Sequence, residues 1–206
     1  MLLNMNLYRP SDLERRIEKQ YKSNDIYSCS DLTIKNVALA FDVDVEYYNG
    51  KPFADWINGK GIVVLNRHEN LLKQREDFFH EVGHCFLHVG DQKKLNSLFI
   101  DLQEAQSLRF QYYAALPYFM ILNNLSNTYD DLTKTLSESF LLPESFVRKR
   151  IYQINNRIQQ ELRDIDLKAR LTPRPATYEY GEETKRILNQ LNQQIAEKKG
   201  NYQVGY

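Results

Sequence analysis

The chain has 206 residues, and its 42% hydrophobic and 26% charged content is enough to bury a real core and excludes a disordered polymer. Lys plus Arg and Asp plus Glu both total 27, so no net field recommends nucleic acid or membrane as a partner, and charge must be read locally. The opening residues lack a basic stretch leading into an apolar run, no run of about 18 apolar residues occurs, and Cys29 and Cys85 do not resemble a secreted disulfide framework. The expectation is a soluble, cytoplasmic protein with reduced thiols.

Ser11-Asp12-Leu13-Glu14 is a capping box, and Leu13, Ile17 and Tyr21 follow at four-residue spacing, which predicts a helix over 11–22. A second helix is expected from Ser30 or Asp31, with Ile34, Val37, Ala38 and Phe41 on one face. Val43, Val45 and Tyr47 then alternate with polar residues as in a half-buried strand, and Asn49-Gly50 signals a turn. The stretch with Trp56, Asn58 and Gly59 reads as a loop, and residues 61–66 read as another strand. From Leu71 to His88, the residues Leu72, Phe79, Val82 and Phe86 recur at helical spacing, and Gly90-Asp91 should end that helix.

That helix carries His80-Glu81-Val82-Gly83-His84. Residues four apart lie about 6 Å along the axis on one face, so both imidazoles can address a single ion. Glu81 lies about 100° around the helix from His80, where a carboxylate can take a proton from water beside the metal. Cys85 points away from this row and reads as a packing residue. His88 continues the row but stands about 12 Å from His80 along the axis, too far for both to reach one zinc at about 2.0 Å, and reads as a supporting or core histidine. A third ligand is needed, and the downstream carboxylates are Asp91, Asp101 and Glu104. Glu104 is preferred, because near the start of the next helix it can project back across the groove between two packed helices.

That next helix should run over 101–122 and be kinked or ended by Pro117. Residues 123–130 read as loop, 132–142 and 145–171 as two helices joined by Leu142-Pro143-Glu144, and Thr172-Pro173-Arg174-Pro175 as a break. A last amphipathic helix over 182–197, with Ile187, Leu188, Leu191 and Ile195, precedes a polar tail expected to be disordered.

The sequence resembles the ImmA/IrrE family of zinc metallopeptidases on three blocks. Gln74-Arg75 followed by the histidine helix and its trailing Leu87-His88 is similar to the family's His-Glu-Leu-Gly-His segment. Gln103-Glu104-Ala105-Gln106-Ser107-Leu108-Arg109-Phe110, ending at Leu116-Pro117, resembles the family segment whose glutamate completes the metal site, and that match falls on Glu104. Ser107 and Gln111 stand where the family usually has Ala. Residues 136–150 resemble the helix-turn-helix-like segment that follows the peptidase region. The order of elements, two helices, a small sheet, the histidine helix and then helices only, predicts an α+β fold with a zincin-like core over 1–125, a helix-turn-helix-like helical segment over 126–171, and a C-terminal helix and tail over 172–206. The resemblance implies a zinc endopeptidase that makes a site-specific cut in a helix-turn-helix repressor encoded nearby, relieving repression of a prophage, mobile element or stress programme.

Two other readings stand beside this one. Between Ser145 and Pro175 there are 8 basic and 3 acidic residues, which would suit a DNA-binding regulator with a structural zinc, although a solvated helix face explains the same pattern. The last helix would suit an interaction protein, such as one half of a toxin and antitoxin pair, or a chain that simply binds its repressor.

Overall fold

The computed structural model describes residues 3–88, 96–121, 129–171 and 180–201. The chain divides into two compact units, Met1–Asp164 and Ile165–Tyr206. The first contains a three-stranded sheet, the helices as far as Phe140 and the greater part of the helix Glu144–Leu171, an α+β arrangement.

Helix α1 (Asp12–Lys22) starts at the predicted capping box: the Ser11 side chain accepts from the Glu14 N–H, and Glu14 Oε2 accepts from the Ser11 N–H at 2.7 Å. Helix α2 (Ile34–Ala40) begins later than expected. Ser28 and Asp31 spend their capping capacity on a separate 3-10 turn, Cys29–Asp31, and Thr33 then caps α2 through the Asn36 N–H.

Strands β1 (Val43–Tyr48), β2 (Phe53–Ile57) and β3 (Lys60–Asn66) form a sheet in the order β1-β3-β2. The stretch around Trp56 is therefore strand, not loop. Asn58 (φ 53°) and Gly59 (φ 81°) both occupy the left-handed region, as a two-residue hairpin turn requires, and they pair β2 antiparallel with β3 from Phe53↔Val64 to Ile57↔Lys60. No residue of β2 is buried, so the alternation that marks a half-buried strand is missing from its sequence. Asn49-Gly50 does not return the chain onto β1, whose neighbour is β3, in parallel, from Val43↔Gly61 to Tyr48↔Asn66.

Helix α3 (Leu71–Leu87) is capped by Asn70, and His88 already has extended backbone, so the helix ends before Gly90-Asp91, which lies outside the described residues. Helix α4 (Ser97–Ala115) starts earlier than predicted because Asn96 caps it through the Phe99 N–H. Pro117 ends it as expected, and a short α5 (Tyr118–Ile121) follows. Helix α6 (Tyr129–Phe140) takes in two residues read as loop, and Leu141, at φ 52°, turns the chain into α7 (Glu144–Leu171). The expected break over 172–175 and the polar tail beyond Asn201 lie outside the described residues. In the second unit, α8 (Glu182–Asn201) leaves Ile187, Leu188, Leu191 and Ile195 exposed. Among the described residues, no helix is long and apolar enough to cross a membrane.

The core of the first unit gathers Ile17 and Tyr21 from α1, Phe78, Phe79 and Val82 from α3, Phe110 from α4, and Ile151 and Ile154 from α7. Inside it sits an ion pair. Arg150, 1% exposed, donates to Glu14 Oε1 at 2.7 Å and to the Leu116 carbonyl at 3.2 Å, while Arg157 reaches Glu14 Oε2 at 2.8 Å and the Tyr8 hydroxyl donates to the same carboxylate. Burial by itself raises the Glu14 carboxyl, but Arg150, Tyr8 and the Ser11 amide outweigh it and hold the group below the usual carboxylate range.

A folded-state pKa held down in this way stabilises the protein above the unfolded carboxylate value, and the stabilisation is lost as pH falls through the folded value. Glu14→Gln leaves Arg150 buried without its counter-charge and should cost about 3–5 kcal/mol at pH 7. In urea denaturation, the gap between wild type and variant should hold down to the unfolded carboxylate value, about pH 4.3, and narrow progressively below it. A gap unchanged with pH would contradict the assigned ionisation.

Candidate metal centre

Helices α3 and α4 pack closely because the contact on α3 is a glycine. A Cβ added to Gly83 would lie 3.1 Å from Phe110 Cδ1 and 3.2 Å from both Cα and O of Ser107, itself fully buried. Gln111 fixes the same pair of helices by donating from Nε2 to the Glu76 carbonyl at 2.9 Å. On the sheet side, a Cβ on Gly61 of β3 would come 3.0 Å from Cys85 Sγ. Cys85 is thus a packing residue, and burial pushes its thiol up to about 12.

This spacing brings three predicted residues together. His80 Nε2 and His84 Nε2 face each other at 3.2 Å. Glu104 sets Oε2 3.2 Å from His80 Nε2 and Oε1 3.4 Å from His84 Nε2. Donors about 2.0–2.1 Å from a tetrahedral ion lie about 3.3–3.4 Å from one another, so two imidazoles and a carboxylate at these separations fit a divalent cation of the zinc type. His84 is buried, His80 half-buried and Glu104 exposed, which leaves one side of the cluster open to solvent. Burial, with His80 and His88 nearby, lowers the His84 imidazole to about 4 against the opposing pull of Glu104, so its ring is neutral and can offer a lone pair at pH 7.

His88 stays out of the donor set. Its Nε2 lies 3.3 Å from the Gln103 carbonyl and 3.4 Å from Ser107 Oγ; since a carbonyl only accepts, that nitrogen carries the proton. His88 therefore ties the end of α3 to the turn of α4 that carries Glu104. Asp101 is exposed and outside the cluster, and Asp91 lies outside the described residues.

Glu81 is buried beside the histidines, and its carboxylate accepts from the backbone N–H of Ala54 on β2. Burial, then the charges of Glu104 and Asp77, push its carboxyl up to about 7. The Ala54 amide was not foreseen. Asn58-Gly59, an unread hairpin signal, would have placed β2 and with it this contact.

A family model for a peptidase family described as the IrrE N-terminal-like domain matches residues 37–152, more than half of the chain and a span that includes every residue of this cluster. The chain is also 29% identical over 199 residues to the Phage-like element PBSX protein XkdA of Bacillus subtilis (strain 168), covering 95% of this chain and 96% of that protein.

The tight crossing predicts the effect of one methyl group. Gly83→Ala should force α4 outward at Ser107, one turn from Glu104, lowering stability by about 1–3 kcal/mol. Zinc affinity, measured by competition with a chromophoric chelator, should fall at least about tenfold as the carboxylate withdraws, since a supporting contact to a metal site is worth about 10–100-fold. Wild-type affinity in the variant would show that the donors do not depend on this spacing.

Proposed function

Since the chain belongs to the IrrE N-terminal-like peptidase family, we propose that it is a zinc-dependent endopeptidase whose His80, His84 and Glu104 hold the ion and whose Glu81 is the general base. The observation that carries this reading is the convergence of those three donors next to a buried, proton-accepting carboxylate. Its substrate, on this proposal, is a helix-turn-helix repressor encoded nearby. One site-specific cut would relieve repression of a prophage, mobile element or stress programme, and the similarity to a phage-like element protein supports that setting. It would act in the cytoplasm, where such a repressor resides.

When bound, zinc supplies Lewis acidity, which polarises a scissile carbonyl and acidifies a neighbouring water. The remaining work falls to the chain. Glu81 takes the proton from the attacking water as oxygen bonds to the carbonyl carbon. It then returns that proton to the departing amide nitrogen as the C–N bond breaks. The Ala54 N–H fixes the carboxylate's direction, and burial keeps its basicity close to neutral pH.

The DNA-binding reading is weakened by where the basic residues of α7 go. Arg150 and Arg157 are engaged with Glu14, Arg148 pairs with Asp130 at 2.9 Å, and Arg170 pairs with Asp166 at 2.9 Å. The positive charge that α7 presents to phosphates is therefore smaller than its count of basic residues implies.

Zinc-loaded wild type, incubated with the repressor encoded beside its gene, should give two discrete fragments by mass spectrometry. Glu81→Gln should bind zinc with unchanged stoichiometry and cut at least about 100-fold more slowly. Equal cutting by both would remove Glu81 as base. An intact repressor in both samples would favour a regulator that binds without cleaving.

A further inference from the structure

Strand β1 forms one edge of the sheet, and among the described residues no strand lies beyond it. The Arg67 N–H donates to the Tyr48 carbonyl at 3.0 Å, so the main-chain groups of Tyr48 face β3. These groups point to alternate sides along a strand. Asp44 and Glu46 therefore also face β3, and Val43, Val45 and Tyr47 turn their N–H and C=O outward. The Arg67 guanidinium takes the Tyr47 carbonyl at 2.5 Å. The N–H and C=O of Val45, in the middle of the strand, have no partner among the described residues.

A cavity of about 430 Å³ borders the same edge. Helix α2 lines it with Ile34, Ala38 and Leu39, and β1 with Val43, Val45 and Tyr47. The register partners of those three, Gly61, Val63 and Leu65, are buried, so the cavity lies on the core-facing side of the sheet. Leu39 is 69% and Tyr47 41% exposed, which leaves the apolar lining open at the surface. The other face of β1 is acidic. Asp44 pairs with Lys60 at 2.6 Å, while exposed Glu46 has no ion pair among the described residues.

We propose that β1 accepts an extended segment of a partner protein as a fourth strand, apolar toward the cavity and basic toward Glu46. The Val45 N–H and C=O bond to the main chain of that segment. Its side chains alternate between faces, so every second one enters the cavity and those between meet the acidic face. A second copy of this chain does not fit. A two-fold axis would run two β1 strands antiparallel, setting Asp44 against Glu46 of the other copy when centred on Val45, or Glu46 against its own copy when centred there, and like charges directly opposite are destabilising. This edge is the one away from β2, whose Ala54 amide serves Glu81, so the inference does not rest on peptidase activity.

The test is fluorescence anisotropy of a labelled, end-blocked peptide as long as β1, in which Val and Lys alternate, titrated with the full-length protein at fixed ionic strength. It should bind with a Kd below about 1 mM, and at least about fivefold tighter than a peptide alternating Val and Glu. Glu46→Lys should invert that order. Val45→Pro removes an outward donor and leaves the ladder to β3 intact, since proline is accepted on an edge strand where its nitrogen faces solvent, and it should weaken the Val and Lys peptide at least about tenfold. Thermal midpoints equal to wild type would certify the fold of each variant, and the surface substitution Glu46→Lys keeps the test decisive if the proline variant does not fold. No binding of the Val and Lys peptide below about 1 mM, equal binding of both peptides, an order unchanged by Glu46→Lys, or a folded Val45→Pro variant that binds like wild type would each overturn the proposal. A dimer in sedimentation equilibrium that Val45→Pro dissociates would give the edge to a second copy and overturn it as well.

Discussion

The close crossing of α3 and α4 at Gly83 and Ser107 is the constraint on which the candidate site depends. His80 and His84 are neighbours on α3 by helical periodicity alone, whatever the rest of the chain does. Glu104 is not: it comes from another helix, and its carboxylate reaches both Nε2 atoms only because nothing larger than hydrogen stands on α3 where it meets the Ser107 backbone. The surrounding contacts hold that separation. Gln111 bonds from α4 to the Glu76 carbonyl, and His88 bonds from the end of α3 to the Gln103 carbonyl, so the pair is tied on both sides of Glu104. The polar residue at 111 is thus a cross-link between helix backbones.

A second constraint joins elements far apart in the chain. Glu14 completes the capping box of α1, receives the Tyr8 hydroxyl, and neutralises Arg150 and Arg157 of α7. Two buried or half-buried arginines against one carboxylate leave excess positive charge. Such an arrangement is costly to desolvate and is tolerated where each donor has a defined acceptor, as the Leu116 and Arg9 carbonyls provide here. The same brace withdraws basic residues of α7 from solvent, so their count in the sequence overstates the field the helix presents.

What could be read from the sequence was whatever is local. The capping box of α1, the strand alternation of β1, the break at Pro117 and the histidine spacing depend on residues within a turn or two of one another. Strand β2 was missed because its side chains are at best half-buried, so burial imposes no pattern on them, and only the turn residues Asn58 and Gly59 betray it. The parallel pairing of β1 with β3 has no local signature, since it skips the intervening strand. Glu14 was legible as a cap and illegible as a buried ion-pair partner, because Arg150 lies more than a hundred residues away.

The electrostatics around Glu81 bear on what the centre holds. Its carboxyl is raised first by burial and then by Glu104 and Asp77, and the opposing contact is a single amide, that of Ala54. Two imidazole nitrogens also face each other at 3.2 Å with the Glu104 carboxylate beside them. A buried carboxyl raised further by a neighbouring carboxylate is unfavourable alone, and a chain selected only for stability would replace it. A divalent cation among His80, His84 and Glu104 would take the facing ring nitrogens as ligands and cancel the charge on Glu104 that disfavours an ionised Glu81. The arrangement thus fits the protein half of a metal centre, with the cost of burial falling on Glu81, the residue that the proposed chemistry uses.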